Sequence, residues 1–387
     1  MSRTRTHRGF VIFGLAPCLL LVTGVARGDS GPAHRVEQKR PIKLGTSGSN
    51  IEDRNSSYCC SGTLGSLVKN ALGAQLILTN NHVGALVNKG VVGQPGVPGQ
   101  GIIQPGLIDQ SPVCYQDKND VVANLSAFVP IKFGGSSNLV DAAVAQVVAG
   151  KVDSTGAILD IGTISATPRA PAVGLKVKKS GRTSGLTTGK IYGINATVTV
   201  QYQEGCGIGA IVTAKFTDQI IITPGSFLKG GDSGSLVVEN VSVNPKPVAL
   251  AFAGSSSFAV GNRIQNVLTA LGVNFVGAGA NALNAPRGLP TLSIQDARLE
   301  AVSRTRARYD DFLSKLPEAV GSGVGVSETN PDEAVIQLYV REASDRVRLA
   351  APAALEGIRV EVVPTGEFRA LPGNCAPCGS VAKNSCR

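Results

Sequence analysis

The stretch LKGGDSGSLVV, Leu228–Val238, sets a serine among glycines beside an acid. Such a serine does chemistry only if a base takes its proton and a polar site receives the charge that develops on a carbonyl it attacks. Gly, Asp and Ser are also ordinary turn residues, so the motif gains weight only from partners elsewhere. Of three histidines, His7 and His34 lie near the N-terminus, and His82 alone falls inside the strand-rich region, in QLILTNNHV directly after an apolar run. If Ser233 is to have an imidazole base, His82 is the candidate. An acid must hold that imidazole in the right tautomer. Asp141 interrupts the apolar run NLVDAAVAQVV, where a carboxylate is costly without a partner, and it is preferred over Asp109, Asp120, Asp153 and Asp160, which sit in more loop-like settings. Gly230-Gly231 permits a sharp turn, and the amides of Gly231 and Ser233 are the expected donors to an oxyanion.

These side chains need strands to hold them. From residue 46 to 277 short apolar runs alternate with Gly, Asn and Ser, as at 73–78, 140–148, 194–200, 220–223, 235–238 and 248–252. That pattern predicts an all-β sandwich or pair of barrels. Residues 91–112, rich in Gly, Pro and Gln, predict a long surface loop, and residues 278–292 a linker. Beyond it, Leu299, Val302, Tyr309, Phe312, Leu313 and Leu316 recur at helical spacing until Pro317, and AVIQLYV (334–340) and IRVEVV (358–363) predict strands. Residues 293–370 are therefore expected to form a small α+β domain, followed by a cysteine-containing tail at 371–387.

The order His, Asp, Ser is not that of an α/β-hydrolase, whose elbow needs a glycine where this chain has Ser235. With CSGTLG at 60–65, ILTNNHV at 77–83, VDAAVAQV at 140–147, GGDSGS at 230–235 and SGRTSGLTTGKI at 180–191, the chain resembles the trypsin-like, chymotrypsin-fold serine peptidases, especially bacterial secreted ones, over residues 46–277. The resemblance implies a mainly β fold of two antiparallel six-stranded barrels with the cleft between them, and a serine-type endopeptidase with His82, Asp141 and Ser233 as its catalytic residues. It implies an ion pair between Arg182 and Asp232 that holds the oxyanion loop. It places Phe227 at the floor of the specificity pocket and Gly254 on its wall, which argues against a preference for Lys or Arg. The cysteine these enzymes often carry after the histidine is Val83 here, which leaves Cys114 or Cys206 as a partner for Cys60.

Composition narrows the setting. The 387 residues are 43% apolar, with 47 Gly and 21 Pro, enough for a buried core rich in turns. The net charge is +10, but Arg3, Arg5 and Arg8 lie in a basic stretch before the apolar run from Phe10 to about Val25. That layout predicts a signal peptide over residues 1–26, a leader or short pro-segment over 27–45, and a secreted or periplasmic protein with no permanent membrane anchor. Cys59, Cys60, Cys114, Cys206, Cys375, Cys378 and Cys386 would then meet an oxidising compartment. Cys375, Cys378 and Cys386 lack a fourth ligand and a nearby histidine, so a disulfide is expected rather than a metal. Aromatics are 4% and no stacking motif is present, so no nucleic-acid partner is expected. The expected partner is a protein or peptide substrate, with no cofactor; the oligomeric state stays open. Two other readings keep the fold without turnover: a binding protein, or a self-processing chain whose C-terminal part binds a partner through the basic helix with Arg298, Arg304, Arg306 and Arg308.

Overall fold

The computed structural model describes residues 1, 33–55, 58–86, 96–203, 210–279, 294–370 and 376–377. The expected signal peptide, Cys206 and nearly all of the cysteine tail and the linker lie outside the described residues. Chain order begins with β1 (Thr46–Asn50), β2 (Tyr58–Cys59), β3 (Gly62–Leu64), β4 (Ser66–Asn70), β5 (Gln75–Thr79) and the short helix α1 (Asn81–Gly84). It continues with β6 (Gly101–Ile103), β7 (Val121–Phe128), β8 (Ser137–Asn138), β9 (Ala143–Val147), β10 (Lys176–Gly181), β11 (Gly185–Gln203) and β12 (Ile211–Thr223). Then come β13 (Leu236–Glu239), β14 (Pro247–Gly254), β15 (Ala259–Arg263), α2 (Ile264–Leu271) and β16 (Val273–Phe275). The C-terminal region holds α3 (Ile294–Arg308), α4 (Asp310–Ser314), β17 (Ala319–Val326), β18 (Ala334–Val340), α5 (Asp345–Ala350), β19 (Ala354–Leu355), β20 (Ile358–Pro364), β21 (Phe368–Ala370) and β22 (Ala376–Pro377).

The fold is mainly β and rests on two large sheets, as a chymotrypsin-like pair of β-domains requires. The first has eight strands in the order β16-β4-β5-β9-β7-β6-β1-β3. The β4–β5 hairpin turns at Gly73, whose φ of 82° suits only glycine well, and Asn70 Oδ1 accepts from the amides of Leu72 and Ala74. Its apolar face buries Leu64, Leu67, Leu76, Leu78 and Val144 in the largest core cluster, together with Ile42 and Leu44 from the expected leader. The second sheet has twelve strands rather than six. The difference comes from the C-terminal strands, which join the same sheet, and from β8: β17 pairs antiparallel with β11, β18, β20 and β19 follow, β21 pairs with β11 and β14, and β8 lies parallel to β12. The β11–β12 hairpin is long, running from Lys190↔Thr223 to Gln203↔Ile211 with three register shifts.

β18 matches the expected strand residue for residue, and β20 runs one residue past its expectation. β17 was not expected, because its sequence AVGSGVGV is glycine-rich. Its glycines have a steric reason, since a Cβ on Gly321 would lie 2.3 Å from the Thr197 carbonyl oxygen. The expected single helix is interrupted at Tyr309, so that Leu299, Val302 and Leu313 are buried while Phe312 is exposed. Cys114 is bridged to Cys59, across a sequence separation of 55, rather than to Cys60; β2 sets Cys59 within a Cα–Cα distance of 5.6 Å of it. Among the described residues no helix is long and apolar enough to cross a membrane.

Candidate active site

β5 delivers the histidine. After Thr79 the chain turns at Asn80 into α1, and Asn80 Nδ2 donates to the Asp141 carbonyl at 2.7 Å. His82 is 1% exposed and Asp141 fully buried. His82 Nδ1 lies 2.5 Å from Asp141 Oδ2, and the His82 amide donates to Oδ1 at 3.2 Å. A third donor, the Tyr202 hydroxyl of β11, reaches Oδ2 at 2.9 Å. Burial first, and then the Asp141 carboxylate, push the Tyr202 phenol well above its ordinary range, so it stays a donor. The Asp141 amide donates to Asn262 Oδ1 at 3.1 Å, which fixes the residue from β15. A carboxylate on Nδ1 calls for the tautomer protonated there, which makes Nε2 the basic nitrogen. The other acids are engaged elsewhere: Asp109 with Arg182, Asp120 with Arg40, Asp160 with His34, and Asp153 with the Thr155 amide.

Ser233 sits in a turn between β12 and β13. Gly231 and Gly234 have φ of 91° and 95°. A Cβ on Gly234 would meet the Thr63 carbonyl oxygen at 2.2 Å, so this glycine is needed both for its φ and for close approach. The turn docks on β3: the Thr63 amide donates to the Ser233 carbonyl at 2.8 Å. Ser233 Oγ donates to the Phe252 carbonyl of β14 at 3.1 Å. A Cβ on Gly62 would lie 2.5 Å from Val83 Cγ2 and 3.1 Å from the Ser233 carbonyl oxygen. The neighbour of His82 and the backbone of Ser233 therefore both press on one glycine, which brings the two halves of the site together. The Gly230 carbonyl accepts from Thr183 Oγ1 at 2.5 Å. A trans peptide then aims the Gly231 N–H away from Thr183.

The expected Arg182–Asp232 pair is not made. Asp232 is fully buried and pairs with Lys179 Nζ at 3.1 Å. It also accepts from the amides of Thr183 at 2.8 Å, Ser184 at 3.0 Å and Lys229 at 2.9 Å, and from Ser184 Oγ. Arg182 instead forks onto Asp109, Nε to Oδ2 at 2.6 Å and Nη2 to Oδ1 at 2.8 Å. Strand alternation is the reason. Val177 and Lys179 share the inward face of β10, so the lysine points at the turn of Ser233, whereas Arg182 follows the strand's end and meets a carboxylate of bidentate geometry. Burial pulls the Lys179 ammonium below its ordinary range against the pull of Asp232. Tyr202 and Lys179 thus join the site unannounced. For Tyr202 the signal was period two, since Val198, Val200 and Tyr202 alternate inward on β11; β10 is buried from Val177 to Gly181 and gave no such signal for Lys179.

Phe227 is 1% exposed in a 3₁₀ turn, Gly225–Phe227, and packs in the core of the second sheet with Ile191, Ile222 and Val237. Gly254 ends β14, opposite Ala259 on one side and Arg369 on the other. Among the described residues no cluster of His, Cys, Asp and Glu is arranged to hold a metal.

Residues 42–266 match the family model described as the Nal1 C-terminal domain. No curated protein matches the sequence. Among solved structures, the chain is similar to a glutamic acid specific serine protease described as using a histidine triad in substrate binding, at 16% identity and a TM-score of 0.38, over 60% of this chain and 100% of that one. It is similar to Thermobifida fusca protease A at 16% identity and a TM-score of 0.39, over 61% of this chain and 98% of that one. For Cellulomonas bogoriensis chymotrypsin the figures are 17% and 0.37, over 61% and 98%.

Proposed function

The chain belongs to the family of the Nal1 C-terminal domain, and from that premise and the geometry of its site we propose that it is a serine endopeptidase. The observation that carries the reading is the buried His82–Asp141 pair, 2.5 Å apart and held by Tyr202, beside a glycine-flanked serine turn. Ser233 Oγ attacks the scissile carbonyl, and His82 Nε2 takes its proton and passes it to the leaving amine. Asp141 keeps the imidazole oriented and stabilises its cation. The amides of Gly231 and Ser233 receive the tetrahedral oxyanion. The acyl-enzyme formed on Ser233 is then released by a water that His82 deprotonates. Each step uses side chains and amides of this chain on a protein or peptide substrate. We also propose export. The N-terminal layout supports it, as does the Cys59–Cys114 bridge, which persists in an oxidising compartment.

A specific observation favours the non-catalytic reading as runner-up: Ser233 has no exposed surface. Labelling by a small fluorophosphonate separates the two. Wild type should label, and Ser233→Ala and His82→Ala should not, with circular dichroism unchanged. Equal labelling of His82→Ala and wild type would sink the mechanism.

A further inference from the structure

A peptide bond must reach Ser233 and His82 if the reading above holds, yet both are buried. The strand beside Ser233 is β14, whose Phe252 carbonyl takes the Ser233 hydroxyl bond. The next two residues of β14 are already paired. β21 lies antiparallel on them, Ala370 opposite Ala253 and Arg369 opposite Gly254. On its other side β21 runs parallel to β11, Phe368 opposite Val200 and Arg369 opposite Gln201. β21 therefore fills a slot between the strand that contacts Ser233 and the strand that carries Tyr202. Its direction is from Gly254 toward Phe252, that is, toward the nucleophile.

One side chain anchors it. Phe368 is fully buried among Tyr202, Phe216, Phe252 and Tyr339, with the Tyr339 ring edge-on at 6.2 Å. The Arg369 side chain is exposed. Backbone pairing of this kind accepts any extended segment, while the pocket beneath an alternate side chain selects its type.

We propose that the slot between β14 and β11 is a binding site for an extended peptide bearing an aromatic residue where Phe368 sits, and that β21 is its resident occupant. An outside peptide then enters only by exchange. The site's link to catalysis rests on the peptidase reading; the slot itself does not. Exchange lowers apparent affinity by the fraction of molecules in which the slot is open.

A recognition sequence for a site-specific protease, inserted between Gly366 and Glu367, lets the folded chain be cut just before β21. Circular dichroism reports that the rest stays folded. A fluorescein-labelled peptide with the sequence of residues 365–370 is followed by anisotropy, and Ser233 by fluorophosphonate labelling. Uncut protein should bind the peptide at least about tenfold more weakly than cut protein, and the Phe→Ala form of the peptide should bind cut protein about tenfold more weakly still. Labelling should quicken about tenfold on cutting and slow again with added peptide. Should the insertion spoil folding, Phe368→Ala in the full chain serves instead, and it should gain peptide binding. Equal binding before and after the cut, no binding to either form, or no preference for phenylalanine overturns the proposal. Peptide bound with that preference, but Ser233 never labelled, upholds the slot and removes the peptidase.

Discussion

Removing the Lys179 ammonium should cost far more stability than removing an exposed lysine. Lys179 Nζ is one of five donors around Asp232, and both side chains are fully buried. Lys179→Met leaves that carboxylate with three amides and one hydroxyl. Breaking a buried pair costs about 3–5 kcal/mol, and the amides that remain set this case near the lower end, about 3 kcal/mol. Asp232→Asn should cost a similar amount by stranding the ammonium. The double variant should then lose about 2 kcal/mol less than the sum, because neither charge is left alone. The same cycle run with Arg182→Gln should show a coupling to Asp232 below about 0.5 kcal/mol, since the guanidinium spends its fork on Asp109. The chain has no tryptophan, so urea unfolding is best followed by circular dichroism. A loss of 3 kcal/mol moves the midpoint by about 1 M at the slope of a chain of this size. A larger coupling for Arg182 than for Lys179 would refute the assignment of the buried partner.

Tyr202→Phe removes one donor to an ionised carboxylate, worth about 1.5–3 kcal/mol, so fluorophosphonate labelling of Ser233 should slow at least about tenfold while the fold persists. Gly65→Ala should abolish labelling, because its Cβ would lie 2.0 Å from the Gly234 carbonyl oxygen and displace the serine turn; unchanged labelling would show that the turn can yield. His34, hydrogen-bonded to Ser180 and paired with Asp160, is held below its ordinary pKa chiefly by burial, against the pull of Asp160. The unfolded chain therefore takes up a proton near pH 6.5 that the native chain refuses, so stability is full above about 6.5 and falls as the pH drops below it. His34→Gln should flatten that slope in urea titrations across the same range.

His82 and Asp141 stood out in the sequence because each is rare in its setting. His82 is the one histidine in the strand-rich region, and Asp141 is a charge inside an apolar run. Motif order pointed to the two as partners, and in the fold their side chains lie 2.5 Å apart. The Arg182–Asp232 pair followed from family likeness alone, whereas the partner of Asp232 depends on which face of β10 Lys179 takes. β17 was hidden by glycines that look like loop but serve close packing against Thr197. β21 has three residues, too few to carry a period, and its place depends wholly on tertiary pairing. The partner of Cys114 could not be fixed by spacing alone, since adjacent cysteines offered the same choice twice.

The continuity of the second sheet also imposes an order in time. Gly193 pairs with Gly325 and Gly254 with Arg369, each more than a hundred positions later in the chain. Contacts of such separation form late, because a long loop must close before they return any free energy. As the chain emerges, its serine turn is complete well before the strands that finish the surrounding sheet. Completion of the sheet around Ser233 is therefore tied to the arrival of residues 319–370, and a chain interrupted before them would carry His82, Asp141 and Ser233 yet present an unfinished sheet edge prone to pairing with other chains.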